Sequence, residues 1–123
     1  MAQPAPFNNG LDSEAEATDL RAFAVDPQPN LRSAFKAPSL RNVAVRLPFM
    51  HDGRFDTLRE VVNHYSEGVQ DHPDLGPGLR GPNGQPARLN LSETDAQALV
   101  AFLETLTDEA FLQDPRFSDP FQP

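Results

Sequence analysis

Few side chains in this sequence could carry chemistry. There are three histidines (His51, His64 and His72), a single tyrosine (Tyr65), no cysteine and no tryptophan. The histidines do not pair at i, i+3 or i+4, so no helix presents two imidazoles to one metal ion. Without cysteine there is no thiolate ligand, no disulfide and no thiol nucleophile. Glycine-rich phosphate loops, the G-x-S-x-G elbow and the H-E-x-x-H zinc motif are all missing. His72 precedes Pro73 in a loop. His64 falls off the apolar face of its helix and is expected in solvent. Tyr65 falls on that face and reads, on spacing alone, as a core tyrosine whose hydroxyl reaches the core edge.

The charges are segregated. The chain carries 10 basic and 18 acidic residues, for a net −8, which argues against non-specific binding to nucleic acid. Yet Arg32, Lys36, Arg41, Arg46 and Arg54 lie close together in the chain with only Asp52 opposing them. This is either a solvated basic loop or a site for an anion, for which arginine forks are well suited.

Two helices can position these groups. Thr57 and Glu60 have capping-box spacing, and Leu58, Val61, Val62 and Tyr65 follow at i, i+3, i+4 and i+7; Gly68 is the expected left-handed stop. A second helix follows Ser92, with an apolar stripe of Ala96, Leu99, Val100, Leu103 and Leu106. A weaker one is expected from Ser13 to Phe23. The remainder reads as ordered loop, because 13 prolines and 7 glycines interrupt both helical and strand periods. No run alternates long enough for a strand. The expected fold is all-α with long ordered loops, residues 1–113 forming one domain and 114–123 an acidic, proline-rich tail. No apolar run approaches the roughly 18 residues of a membrane span, and the first ten residues lack the basic and apolar regions of a signal peptide. The stretch from Ala34 to Phe55 is too apolar for a free loop and must pack on something.

Three motifs in this order carry a resemblance. Phe35-Lys36-Ala37-Pro38-Ser39-Leu40-Arg41-Asn42-Val43 is followed by Pro48-Phe49-Met50-His51-Asp52-Gly53 and then by Thr57-Leu58-x-Glu60-Val61-Val62. Together they resemble the C-terminal haem domain of bacterial dihaem cytochrome c peroxidases, and the MauG-like branch most. The stretch Leu99–Thr107 is similar to the family's last helix, and the resemblance runs from about Phe7 to Leu112. It implies a cytochrome c-like domain that binds haem c and relays electrons for peroxide-dependent oxidation in the periplasm. The partners it implies are an N-terminal haem domain and a small redox protein or protein substrate.

The resemblance also implies roles. The family's distal haem ligand lies fourteen residues after the HDG histidine, a position held by Met in the peroxidases and by Tyr in the MauG branch. Fourteen after His51 is Tyr65. Met50 is then a packing residue, and His51 stands near the haem without ligating it. Arg41, then Lys36, are candidates for the haem propionates. The family's calcium ion is bound partly through backbone carbonyls that map to Arg46 and Pro48. No catalytic residue maps to this chain.

The departure is the missing C-x-x-C-H, through which the family attaches its haem. The expectation is a fragment, incomplete at its N-terminus and inactive on its own. The alternative is a haem-free scaffold or interaction module derived from the family.

Overall fold

In a computed structural model, residues 6–16, 24–28, 31–118 and 121 are described. The helix after Thr57 starts as its sequence dictates. Thr57 Oγ1 accepts the Glu60 backbone N–H at 3.2 Å, while the Glu60 carboxylate accepts the Thr57 N–H at 2.9 Å. Both halves of the box are made, and losing the threonine oxygen costs about 1 kcal/mol. This helix, α1 (Leu58–Asn63), buries Leu58 and Val62. It then widens into a π turn over His64–Gly68. Gly68 is therefore not the left-handed stop; its φ is not positive.

Helix α2 (Glu93–Glu104) is capped by Ser92, whose hydroxyl oxygen accepts the Asp95 N–H at 3.2 Å. It packs against α1, and Arg59 of α1 forms a forked ion pair with Glu93 at its start. Of the expected stripe only Ala96 is buried. Leu99 and the neighbouring Phe102 remain 39% and 57% exposed, while Val100, Leu103 and Leu106 are half-buried. A short helix α3 (Glu109–Leu112), capped by Asp108, follows. A 3-10 turn at Pro115–Phe117, capped by Asp114, orders the start of the tail. Where the weaker helix was expected to begin, residues 14–16 form a turn, with Ser13 Oγ 2.8 Å from Glu16 Oε2. The rest of that expected helix lies outside the described residues.

The all-α expectation is overturned. Beside these short helices is a two-stranded antiparallel sheet, β1 (Phe7–Asn8) and β2 (Ala34–Phe35), with Phe7 opposite Phe35 and Asn8 opposite Ala34. Two-residue strands are too short to alternate visibly. They form because Asn8 is anchored from several sides. Its amide donates to the Arg32 carbonyl at 3.2 Å and its side-chain oxygen accepts the Gly10 N–H at 2.8 Å. Its backbone carbonyl accepts the Gly76 N–H at 2.9 Å. Leu11, Ala34, Phe49, Leu58, Val62, Val69, Leu75 and Ala96 make the small core beneath.

Candidate functional site

Three segments meet at Asn9, beside Tyr65: the strap Asn8–Leu11, the loop around His51, and the π turn. The strap runs between the sheet and the loop after the π turn, where the Gln70 N–H donates to the Gly10 carbonyl at 2.7 Å. Gly10 sits at φ +64°, and a Cβ there would fall 2.5 Å from Val69 Cγ1. Only glycine gives both that backbone conformation and that approach.

The His51 loop is closed at its base, where the Phe49 N–H donates to the Phe55 carbonyl at 2.7 Å. Arg54 ties it to the strap. Its guanidinium meets Asp52 at 2.7 Å, Asp12 at 2.8 Å and the Leu11 carbonyl at 3.2 Å. These contacts hold the Arg54 guanidinium above its ordinary pKa. Met50 is in the left-handed region at φ 69°, and its Sδ lies 3.6 Å from the Asn9 amide nitrogen. The His51 ring stacks on Phe35 with centroids 4.1 Å apart and planes at 18°. Its Nδ1 is buried with no hydrogen-bond partner among the described residues.

The π turn corrects one expectation outright. His64 is not in solvent but 6% exposed. Its Nε2–H donates to the Asn9 carbonyl at 3.1 Å, and burial pushes its pKa down. The helical period used to place it ends at Asn63, and the wider turn brings His64 and Ser66 inward. Ser66 holds the far side of the turn. Its hydroxyl accepts the Leu91 N–H at 2.9 Å and its carbonyl the Leu89 N–H at 2.8 Å. His72 lies in a loop before Pro73 as expected and is buried there, and its Nδ1 accepts the Asp74 N–H at 3.0 Å.

Tyr65 thus stands between two buried residues while itself only half-buried. The His64 ring meets it edge-on at 5.0 Å. Burial raises the phenol pKa, and the Asn9 side chain pulls it back down.

The basic residues do not gather. Arg54 is spent on acids. Arg41 is 67% exposed and lies 3.6 Å from Asp108. Lys36 and Arg46 are exposed and form no ion pair among the described residues. Neither the Arg46 nor the exposed Pro48 carbonyl accepts a hydrogen bond among the described residues. No cluster of three histidine or acidic side chains suited to a metal ion occurs among the described residues.

Two asparagines do work that their sequence did not announce. Asn9 touches both Met50 and the π turn. Asn42, buried at φ 58°, donates its N–H to the Leu106 carbonyl at 3.0 Å, and its side-chain oxygen accepts the Asp108 N–H at 2.6 Å. It joins the loop before His51 to the end of α2. An asparagine ahead of Val-Ala-Val was the available signal, since asparagine tolerates the left-handed region.

Comparison with known proteins places this arrangement. No protein-family model matches the chain. It is 40% identical over 123 residues to methylamine utilization protein MauG of Paracoccus denitrificans, covering 81% of this chain and 32% of that protein. It is 38% identical to MauG of Methylorubrum extorquens, over 71% of this chain and 23% of that one. It is 37% identical to cytochrome-c peroxidase IdrP2 of Denitromonas iodatirespirans, over 75% of this chain and 22% of that one. A crystal structure of a MauG-like protein associated with microbial copper homeostasis superposes with a TM-score of 0.75 at 35% identity, covering 98% of this chain and 37% of that one. The chain spans about a third or less of the curated relatives it matches. By sequence and by fold, it belongs to the dihaem cytochrome c peroxidase and MauG family.

Proposed function

We propose that this chain is the haem-binding, electron-transferring part of a MauG-like or dihaem cytochrome c peroxidase that acts with hydrogen peroxide. The observation that carries the reading is Tyr65. It stands fourteen residues after His51, half-buried on a π turn fixed on both sides. Single π turns inside helices are frequent at functional sites.

The residues present fit a haem. Tyr65 offers an oxygen ligand, and the buried Nδ1 of His51 has no hydrogen-bond partner among the described residues. Leu40, Val45, Leu47, Leu99 and Phe102 are large apolar side chains at least 39% exposed, the kind of surface a flat hydrophobic macrocycle or a further domain covers. Tyr65 would hold the iron, Arg41 and Lys36 the propionates, and the Arg46 and Pro48 carbonyls a calcium ion, whose hardness suits oxygen donors. When bound, the haem supplies one-electron transfer at a potential set by its axial ligand. The chain's own part is to present one phenol oxygen, to orient it through the π turn, and to supply cationic side chains at the rim. Covalent attachment must come from cysteines outside this chain, since it has none. A remaining haem domain, a small redox protein or protein substrate, and a periplasmic location complete the proposal.

The absence of cysteine also favours a second reading, a haem-free interaction module. One experiment separates the two. In a longer protein that carries C-x-x-C-H, Tyr65→Phe keeps the ring and deletes the oxygen. Ligation predicts that the ferric spectrum moves from six-coordinate to open or water-bound and that the potential rises. An unchanged spectrum and potential would sink the assignment. No covalent haem in any such protein would favour the module.

A further inference from the structure

The dipeptide Asn-Gly occurs twice in the chain, as Asn9-Gly10 and as Asn83-Gly84. Asparagine before glycine is the least shielded setting for one reaction of the side-chain amide. The backbone nitrogen of the next residue adds to the amide carbon, and glycine has no Cβ to block the approach. The fold puts the two pairs in opposite environments.

Asn9-Gly10 is locked. Gly10 is buried, and its N–H already donates to Asn8 Oδ1 at 2.8 Å. Its carbonyl accepts the Gln70 N–H at 2.7 Å, and Val69 and Leu75 leave no room for so much as a methyl group. The Asn9 amide nitrogen lies 3.6 Å from Met50 Sδ, and the Asn9 carbonyl accepts the His64 Nε2–H at 3.1 Å. Bringing the Asn9 amide carbon onto the Gly10 nitrogen breaks contacts with distant parts of the chain.

Asn83-Gly84 is open. Both residues and Gln85 are exposed at the tip of a turn closed by the Arg80–Pro86 bridge. Gly84 is at φ +78°, with no atom within 4 Å of where a Cβ would stand. Its N–H donates to the Gly81 carbonyl at 3.0 Å, a surface bond that water replaces at little cost. Two neighbours favour the reaction. The Gln85 N–H donates to Asn83 Oδ1 at 3.1 Å, and a donor there stabilises the negative charge that this oxygen takes up as the carbon is attacked. Arg80 donates to the Gly84 carbonyl at 2.7 Å, and a cation beside Gly84 favours loss of its N–H proton.

We propose that Asn83 is a modification site of the folded chain: it loses its side-chain amide through a cyclic imide with Gly84, while Asn9 keeps its own. The Gly84 nitrogen gives its proton to water and bonds to Asn83 Cγ. The Cγ–Nδ2 bond breaks, and Nδ2 takes a proton and leaves as ammonia. Water then opens the imide to aspartate or to isoaspartate, with no oxidant or reductant involved. Either product adds a negative charge, and isoaspartate also inserts a methylene into the backbone. The turn is closed by the Gly84 N–H bond to Gly81 and by the Gly81 N–H bond to the Gln85 carbonyl at 2.8 Å, and a longer backbone does not keep both. Arg80, which also holds the His72 and Pro73 carbonyls, is then loosened from Gly84.

The test incubates the 123-residue chain folded at mildly alkaline pH, beside a sample unfolded in guanidinium chloride, and maps both by digestion and mass spectrometry. In the folded sample the peptide with Asn83 is expected to gain the mass difference between NH2 and OH and to split into two chromatographic forms. The peptide with Asn9 should stay unchanged. Unfolding should speed the loss at Asn9 about tenfold or more, because protection follows the fraction of time the strap is open, and should change the rate at Asn83 far less. Asn83→Gln should abolish the reaction at this turn, since its amide carbon must close a larger ring. If Asn83 survives in the folded sample and converts only when unfolded, the turn protects it and the proposal is overturned. Equal conversion of Asn9 and Asn83 in the folded sample overturns it too, because the strap then protects nothing.

Discussion

Asn42 and Asp108 are 66 residues apart in the chain and joined by one short bond, the Asp108 N–H donating to the Asn42 side-chain oxygen at 2.6 Å. The bond fastens the link between α2 and α3 to a residue from the basic loop. It sets that loop, and with it Arg41 and the Val43–Val45 turn, against the helix. A loop as apolar as Ala34–Phe55 needs such a fastening, because its own backbone hydrogen bonds are few.

Replacing this asparagine should therefore cost stability through two separable terms. Asn42→Gly keeps the left-handed backbone and loses the bond, leaving the Asp108 N–H unpaired, a loss of about 1–3 kcal/mol. Asn42→Ala loses the bond and adds about 1–2 kcal/mol of left-handed strain. Urea denaturation of the two variants beside the parent chain measures both terms. Equal stability of Asn42→Gly and parent would mean that the bond contributes nothing to the fold.

What could be read from the sequence, and what could not, divides along the range of the interactions. The caps at Thr57 and Ser92 depend on residues three apart, and both are made. The family motifs depend on spacing, and they led to the family. The sheet depends on Asn8 meeting a strand more than twenty residues away, and nothing local in Phe7-Asn8 announces it. His64 was misplaced for a related reason. Its burial follows from the Ser66 bonds to Leu89 and Leu91, which convert the last helical turn into a π turn, and a 3.6-residue period cannot anticipate them. Asn9 was not announced by its sequence, because its contacts with Met50 and with His64 come from two distant segments.

Gly10 offers a sharper check on the strap that carries Asn9. A methyl group at this position would meet Val69 Cγ1 at 2.5 Å and Leu75 Cδ1 at 2.9 Å, on a backbone at φ +64°. Both neighbours are buried core residues, so relief requires the core to move. Gly10→Ala should cost about 2–4 kcal/mol, combining overpacking with left-handed strain. It should also disturb the Asn9–His64 contact, visible as a shifted His64 ring resonance in NMR spectra. A well-folded variant with an unmoved His64 resonance would show that the strap is not held as described.

The ion pair between the helices predicts a dependence on pH. Hydrogen bonds from Arg59 and from Gln97 hold the Glu93 carboxyl at a pKa of about 2, below its ordinary 4.5. A depressed carboxyl contributes stability that is fully present above 4.5 and is lost as pH falls toward about 2. The pair lies on the surface, so the contribution is small and weakens as salt is added. Melting temperatures of the parent and of Arg59→Gln should differ most at neutral pH and low salt. The difference should shrink with acid across that window and with added salt. A gap that stays constant from neutral pH to about 2 would remove the ion pair as its cause.

The last expectation concerns Arg41, whose present partner is a poor one. Its guanidinium is 67% exposed and 3.6 Å from Asp108, a surface pair worth well under about 1 kcal/mol. Such an arginine can exchange its partner cheaply. A haem propionate offers a planar fork that matches the guanidinium, and a hydrogen bond to a charged group is worth about 1.5–3 kcal/mol. Two consequences separate this role from a surface role. In the chain without haem, Arg41→Ala should leave the melting temperature nearly unchanged, because the Asn42 bond rather than the Arg41 pair fastens the loop. In the haem-loaded longer protein, the same substitution leaves a propionate less neutralised, which stabilises ferric iron and lowers the midpoint potential of the haem on this domain. Arg41→Lys should recover part of the potential, since a point charge neutralises the anion without reproducing the fork. A redox titration of the three proteins reads the order directly: parent highest, lysine between, alanine lowest. If all three titrate together, Arg41 is a surface residue paired with Asp108, and Lys36 becomes the cation to substitute in its place.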